Sequence, residues 1–254
     1  LGKKRAAGDK GIAMDIKVGS GAFMENKTQA KKLARSIIKT AKRFHKSAVT
    51  LITNMDQPLG NAVGHSLEII ESVEVLKGKG PKDLTELSLN LAAHMIHVAG
   101  IEKTFAGALK KAKKSIKDGS ALKTFKKLIT NQGGQDDFIN AYNLLELAEC
   151  QTSVKAPKAG YIKSFINKDI GFSCTELGGG RKIKSDKIDF GVGFYFHKKV
   201  SDKVKLDEEI LTIYHRKDQL EIVADIVNRF QNKIIKITKT APEKRSIILD
   251  VFSN

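Results

Sequence analysis

Two apolar runs of strand length, residues 11–18 (GIAMDIKV) and 48–54 (AVTLITN), flank a segment whose apolar residues recur at helical steps. That order constrains the fold more than any other feature of the chain. Ala30, Leu33, Ala34, Ile37, Ile38, Ala41 and Phe44 fall on one face of a helix over about 27–44, which Asn26 or Thr28 can cap. Strand, helix and strand in this sequence make a βαβ unit, which implies a parallel sheet. Ligands of such sheets gather at the carboxyl ends of the strands. Residues 18–24 and 54–60 fall there, and both are unusual.

The remaining pattern predicts a helix over 62–76, a loop at KGKGPK (77–82) and a helix over 84–99 capped by Asp83. Leu84, Leu87, Leu91, His94, Met95 and Val98 form the inner face of that last helix. A basic helix follows over 103–117, stopped at Gly119, and another over 120–130. Near residue 150 the pattern changes to short runs broken by turns, the mark of a β-rich unit. A helix over 218–232 and a last strand near 245–252 are expected to complete it. The fold class is therefore α/β: a partial catalytic domain with a parallel or mixed sheet over 9–150, then a smaller α+β, barrel-sandwich-like domain over 151–254, with the boundary at 148–152.

The 254 residues carry a net charge of +17, which raises the question of nucleic acid. The cations are overwhelmingly lysines, scattered over predicted helix faces as at Lys31, Lys32, Lys39 and Lys42. Bidentate recognition of phosphate or bases favours arginine, so a solvated surface is the better reading and nucleic acid is an unlikely partner. No apolar run reaches the roughly 20 residues needed to span a bilayer. Cys150 and Cys174 lie far apart and form no CxxC pair, consistent with reduced thiols in the cytoplasm. The chain opens on Leu1, with no signal-peptide pattern, and reads as part of a longer protein.

Lys17-Val18-Gly19-Ser20-Gly21-Ala22-Phe23 joins the first strand to the first helix. Glycine there permits positive φ and close approach of a ligand. The dinucleotide fingerprint is not completed, because Met24 stands where a glycine belongs. In Met55-Asp56-Gln57-Pro58-Leu59-Gly60, Pro58 holds Gln57 extended and turns the chain away from the sheet. The carbonyls of Leu59 and Ala62 can then face Glu71 on the next helix. Backbone oxygens plus one carboxylate suit a cation of low charge; a plain helix start with ordinary turn hydrogen bonds is the alternative. His94 and His97 are three apart on one helix but have no acidic or thiolate partner in a ligand pattern, so His94 reads as a helix-face residue. Residues 156–160 and the later strands have the shape of a biotinyl or lipoyl carrier, but the flanks of Lys198 and Lys199 do not match a carrier signature.

These motifs together resemble the pyrimidine-nucleoside phosphorylase and thymidine phosphorylase family. The resemblance rests on Lys3-Lys4, MDIKVGSGAFM (14–24), TNMDQPLGNAVGHSLE (53–68), VLKGKGPKDLTEL (75–87), GGGR (178–181) and DFGVGFYFHKKVSDKV (189–204), in that order. It implies reversible phosphorolysis in nucleoside salvage, with phosphate as co-substrate and a cytoplasmic homodimer as the complete enzyme. It places Lys3 against the base, and it implies a potassium ion held by the carbonyls of Leu59 and Ala62 and the side chain of Glu71. It makes residues 1–8 the remnant of a helical lobe and hinge. The phosphate-binding segment, the catalytic histidine and the base-binding arginine would lie upstream, leaving no catalytic residue in this portion. Departures from the family pattern are Gly2, Arg5 and His65. The reading from another class is a non-catalytic basic interaction module.

Overall fold

The computed structural model describes residues 8–9, 11–24, 26–244 and 246–254. Strand β1 (Gly11–Val18), helix α1 (Lys27–Arg43) and strand β2 (Ser47–Asn54) form the expected unit, with β1 and β2 parallel from Gly11 opposite Ser47 to Val18 opposite Asn54. Asn26 is the cap of α1: its side-chain oxygen accepts the Gln29 N–H at 2.9 Å, satisfying a donor that every helix start leaves open. α1 buries Ala30, Ala34, Ile37 and Ala41. Ile12, Ile16, Val18 and Ile52 of the sheet belong to the same apolar layers. The alanines let the helix lie close, so only a narrow stripe is covered. Leu33 and Phe44, expected inside, are left at its margins and exposed.

Next come β3 (Ala62–Val63), α2 (His65–Leu76), α3 (Lys82–Val98), α4 (Phe105–Lys117) and α5 (Ser120–Asn131). The helix expected from residue 62 begins only at His65. Ala62 and Val63 instead pair antiparallel with Tyr195 and Phe194. Gly64, at φ 129°, turns the chain from strand to helix, and a Cβ there would lie 2.5 Å from the Val192 carbonyl oxygen. α3 packs on β1 and β2 on the side away from α1. Pro81, not Asp83, occupies its cap position. From the first turn, the Asp83 carboxylate takes the Leu84 N–H with Oδ1 and the Gly60 N–H and Lys199 with Oδ2. Leu87 and Ala93 are the buried residues of this helix, and Met95, expected inside, is exposed.

The second half contributes β4 (Cys150–Lys155), β5 (Gly160–Phe165), α6 (Asn167–Cys174), β6 (Gly193–Phe196), β7 (Lys203–Val204), β8 (Glu209–His215), α7 (Leu220–Arg229) and β9 (Ile235–Thr238). The strands form two sheets, in the orders β3-β6-β8-β4 and β7-β5-β9. Their shared core holds Ile162, Phe165, Phe194, Phe196, Leu211 and Phe230 among others. Phe165 meets Phe196 edge-on at 5.5 Å, and Phe194 meets Phe230 at 5.2 Å, the geometry that aromatic quadrupoles favour.

The last strand, β10 (Ile248–Ser253), does not complete this second unit as expected from the sequence. It pairs antiparallel with β2, so the first sheet has the order β1-β2-β10. β2 is buried from Ala48 to Thr53, and a buried strand needs neighbours on both edges to satisfy its backbone. The two halves thus exchange strands: β3 joins the later sheet and β10 the earlier one. Among the described residues, β1 has no strand neighbour on its other edge.

Arg216 ties the connection before β4 to the end of β8. Its guanidinium takes Asp189 in a fork, Nε and Nη2 each at 2.7 Å, and also meets Glu149 at 3.1 Å and Glu146. Arg216 holds the Asp189 carboxyl below its usual range. Arg216→Ala is expected to cost about 1–2 kcal/mol at neutral pH, since forked, charge-assisted bonds are among the stronger polar contacts. The Asp189 carboxyl is lowered on folding, so its contribution is full above its unfolded value of about 3.9 and fades as pH falls through the folded one. Urea unfolding of the wild type and the variant should therefore differ at neutral pH and converge in strong acid.

Candidate ligand site at the strand ends

The turns that follow β1 and β2 are fastened to each other. The Met55 N–H reaches the Val18 carbonyl at 2.6 Å, the Gly21 N–H reaches the Met55 carbonyl at 3.3 Å, and the Ser20 N–H reaches Asp56 Oδ1 at 3.1 Å. Gly19 makes this contact sterically feasible: at φ 136°, a Cβ would lie 2.6 Å from Asp56 Oδ1 and 2.7 Å from the Met55 carbonyl carbon. Any side chain at Gly19 would push the turns apart. The two glycine-bearing motifs singled out in the sequence thus form one continuous edge at the carboxyl ends of the strands, the position where parallel sheets bind ligands.

Charged and polar groups line the approach to that edge. Asp15 on β1 accepts the Thr53 hydroxyl of β2 at 2.5 Å and the Lys17 ammonium at 2.6 Å. Phe23, on the glycine turn, is wholly exposed, 102% of its reference surface. A large apolar ring left in solvent beside a strand end is a ready face for a planar ligand.

The later half buttresses both turns. The Asn167 side-chain amide donates to the Met55 carbonyl at 2.9 Å, and the Ser20 hydroxyl donates to the Phe165 carbonyl at 3.2 Å. On the second turn, the Val200 N–H reaches Gln57 Oε1 at 2.9 Å and the Phe196 N–H reaches the Asn61 carbonyl at 2.7 Å. Sequence spacing gives no warning of these contacts, because each joins residues more than a hundred positions apart.

Lys3, the residue expected to face the base, lies outside the described residues. Of the expected cation ligands, Ala62 and Glu71 are brought together, with the 60–62 turn over the Glu71 side chain. Glu71 is buried, and its Oε1 accepts the N–H groups of Asn61 at 2.7 Å and Ala62 at 3.2 Å. Its Oε2 lies under Gly60, where a Cβ would stand 2.1 Å away. Burial pushes the Glu71 carboxyl up, while the two backbone N–H groups and Lys199 pull it back. The groups the structure places against this carboxylate are thus two backbone N–H donors and, nearby, the ammonium of Lys199.

Each histidine of the pair has a partner close by. The His94 ring lies over Phe105 at 4.4 Å, with burial pushing its pKa down, and His97 Nδ1 is paired with the Glu102 carbonyl at 3.0 Å. Among the described residues, no group of three or more His, Cys, Asp or Glu side chains is placed to hold a metal. Lys198 is paired with Glu208 at 2.5 Å and Lys199 is turned inward, so neither is presented as a carrier lysine would be. Among the described residues, no helix is long and apolar enough to cross a membrane.

Residues 1–122 match the family model described as "Glycosyl transferase family, a/b domain", and residues 161–235 match "Pyrimidine nucleoside phosphorylase C-terminal domain". The pyrimidine-nucleoside phosphorylase of Staphylococcus aureus strain USA300 is 38% identical over 234 residues, 92% of this chain and 53% of that protein. The same enzyme from the bovine strain RF122 / ET3-1 gives the same figures. The chain spans about half the length of the curated relatives it matches. With both family models matched in order and 38% identity over 92% of its length, the chain belongs to the pyrimidine-nucleoside phosphorylase family.

Proposed function

We propose that this chain supplies the base-side half of a pyrimidine-nucleoside phosphorylase site, in a cytoplasmic salvage enzyme that works as a homodimer when complete. The observation that carries the reading is the fastening of residues 18–24 to 54–60 at the carboxyl ends of β1 and β2. Among the described residues β1 has no strand on its outer edge, which supports the reading, since a further strand can pair there. The other half of the site would come from polypeptide equivalent to the part of its relatives that this chain does not span.

In the reaction, a phosphate oxygen attacks the anomeric carbon of the nucleoside. The bond from that carbon to the base nitrogen breaks, its electron pair leaves with the base, and pentose 1-phosphate forms. Negative charge grows on the departing pyrimidine, so a fixed ammonium beside it lowers the barrier. Lys3 would hold that ammonium, and the 18–24 turn would carry the base. A potassium ion, held by the Leu59 and Ala62 carbonyls and the Glu71 carboxylate, would supply fixed positive charge to the second turn.

The test joins this chain to such an upstream portion and replaces Lys3 by Ala. Uridine and thymidine phosphorolysis should fall by about 100- to 1000-fold in kcat, the scale on which a single charge-stabilising donor acts. An unchanged kcat would remove Lys3 from the site. The basic-module reading instead expects salt-sensitive nucleic-acid binding without nucleoside affinity, and a titration at two salt concentrations separates the two.

A further inference from the structure

The ammonium of Lys199 is placed unlike that of a surface lysine. It leaves the β6–β7 connection, crosses to the other half of the molecule and ends inside the 57–62 turn, with its side chain only 18% exposed. Its Nζ donates to the carbonyls of Pro58 and Gly60 and lies 3.3 Å from Asp83 Oδ2. An ammonium group has three N–H donors, and each meets an oxygen here. Asp83 Oδ2 also accepts the Gly60 N–H at 3.2 Å, so the same carboxylate closes the cage and orients the turn. Burial pushes the Lys199 pKa down, and Asp83 and Glu71 oppose that.

The base of the lysine is fixed as well as its tip. The Lys199 N–H reaches Asp202 Oδ2 at 2.7 Å, the Asp202 N–H reaches the Lys199 carbonyl at 3.0 Å, and the Val200 N–H is taken by Gln57. A side chain anchored at both ends transmits position. The turn it grips has few regular backbone bonds of its own, because Pro58 lacks an N–H and the Pro58 and Gly60 carbonyls point at the ammonium.

We propose that Lys199 is a tethered monovalent cation: its ammonium fills an oxygen cage made by Pro58, Gly60 and Asp83, locks the 57–62 turn to the second unit, and can be replaced there by a free ammonium-sized cation when the side chain is removed. Carbonyl oxygens with one carboxylate bind potassium and ammonium for the same reason, oxygen dipoles aimed at a small single charge. Lys199 is thus a positioning residue for the turn. The inference relies on the functional reading only in regarding that turn as part of a ligand site.

The experiment is amide hydrogen exchange on the full chain, wild type and Lys199→Met, in buffers of equal ionic strength. Tetramethylammonium, which is too large and has no N–H, serves as the inert cation. In that salt the 57–62 amides of Lys199→Met should exchange about tenfold faster than wild type, while β4 and β8 stay protected. Ammonium or methylammonium should restore protection in the variant and leave wild type unchanged, which separates the cage from the potassium site at Glu71. Asp83→Asn, which retains the lysine, should loosen the same segment without any response to ammonium. The proposal is overturned if Lys199→Met leaves 57–62 unaltered, if protection falls equally across β4 and β8, if ammonium acts no differently from tetramethylammonium, or if Asp83→Asn has no effect on the turn. No phosphorolysis is required, so loss of this proposal would leave the enzymatic reading standing, and the reverse.

Discussion

Joined to polypeptide equivalent to the remainder of its relatives, this chain is expected to release free pyrimidine from uridine or thymidine in a phosphate-dependent reaction, about 10,000-fold or more above the chain alone. The size of the effect follows from what the described half provides and what it leaves to be supplied. Holding phosphate next to the anomeric carbon converts a meeting of two solutes into a step within one complex, worth about 7–11 kcal/mol when the geometry is right. Stabilising the departing base contributes separately, through the Lys3 ammonium on the proposed reading. On the proposed reading the upstream polypeptide supplies the larger of these terms. The assay is base release followed by absorbance, with and without phosphate; brisk turnover by the 254-residue chain alone would show that phosphate is held by groups within it.

Phe196→Ala should be the most damaging single change to stability, at about 3–5 kcal/mol. Phe196 is fully buried, touches Phe165 at 5.5 Å and Phe230 at 6.3 Å, and so links both sheets of the later unit to the segment after α7. Removing the ring leaves a cavity that two rigid sheets cannot close. The backbone of the same residue binds the Asn61 carbonyl, so loosening β6 also loosens the second glycine turn. Phe23→Ala is the matched control: its ring is wholly exposed, and its loss should change stability by less than about 0.5 kcal/mol. Urea unfolding of the two variants would contradict this account if they were equally stable.

The first βαβ unit was legible because each of its elements is long enough to display a period. Gly11–Val18 and Ser47–Asn54 are strand-length apolar runs, and α1 repeats its alanines and isoleucines at helical steps. The two glycine motifs were legible as special because glycine and proline restrict the backbone in ways independent of partners. What the local pattern could not reveal was partnership. β3 is only Ala62–Val63, too short for any period, and its existence depends on Phe194 and Tyr195 far along the chain. β10 is a short apolar run interrupted by Asp250, and nothing in Ile248–Ser253 says that its neighbour is β2. Asp83 looked like a cap from its place before an apolar run, whereas Gly60 and Lys199 claim its carboxylate. Lys198 and Lys199 are adjacent and alike in sequence. Only the fold separates the one that pairs with Glu208 near the surface from the one that enters the turn.

The claim that most needs testing is that one pyrimidine lies between Lys3 and the fastened turns. A crystal structure of the joined protein with uracil and phosphate bound addresses it directly. The account expects the base at the carboxyl ends of β1 and β2, against residues 18–24, with the Lys3 ammonium in hydrogen-bonding distance of a base carbonyl. A base bound at the other end of the sheet, or a Lys3 amine remote from both turns, would contradict it.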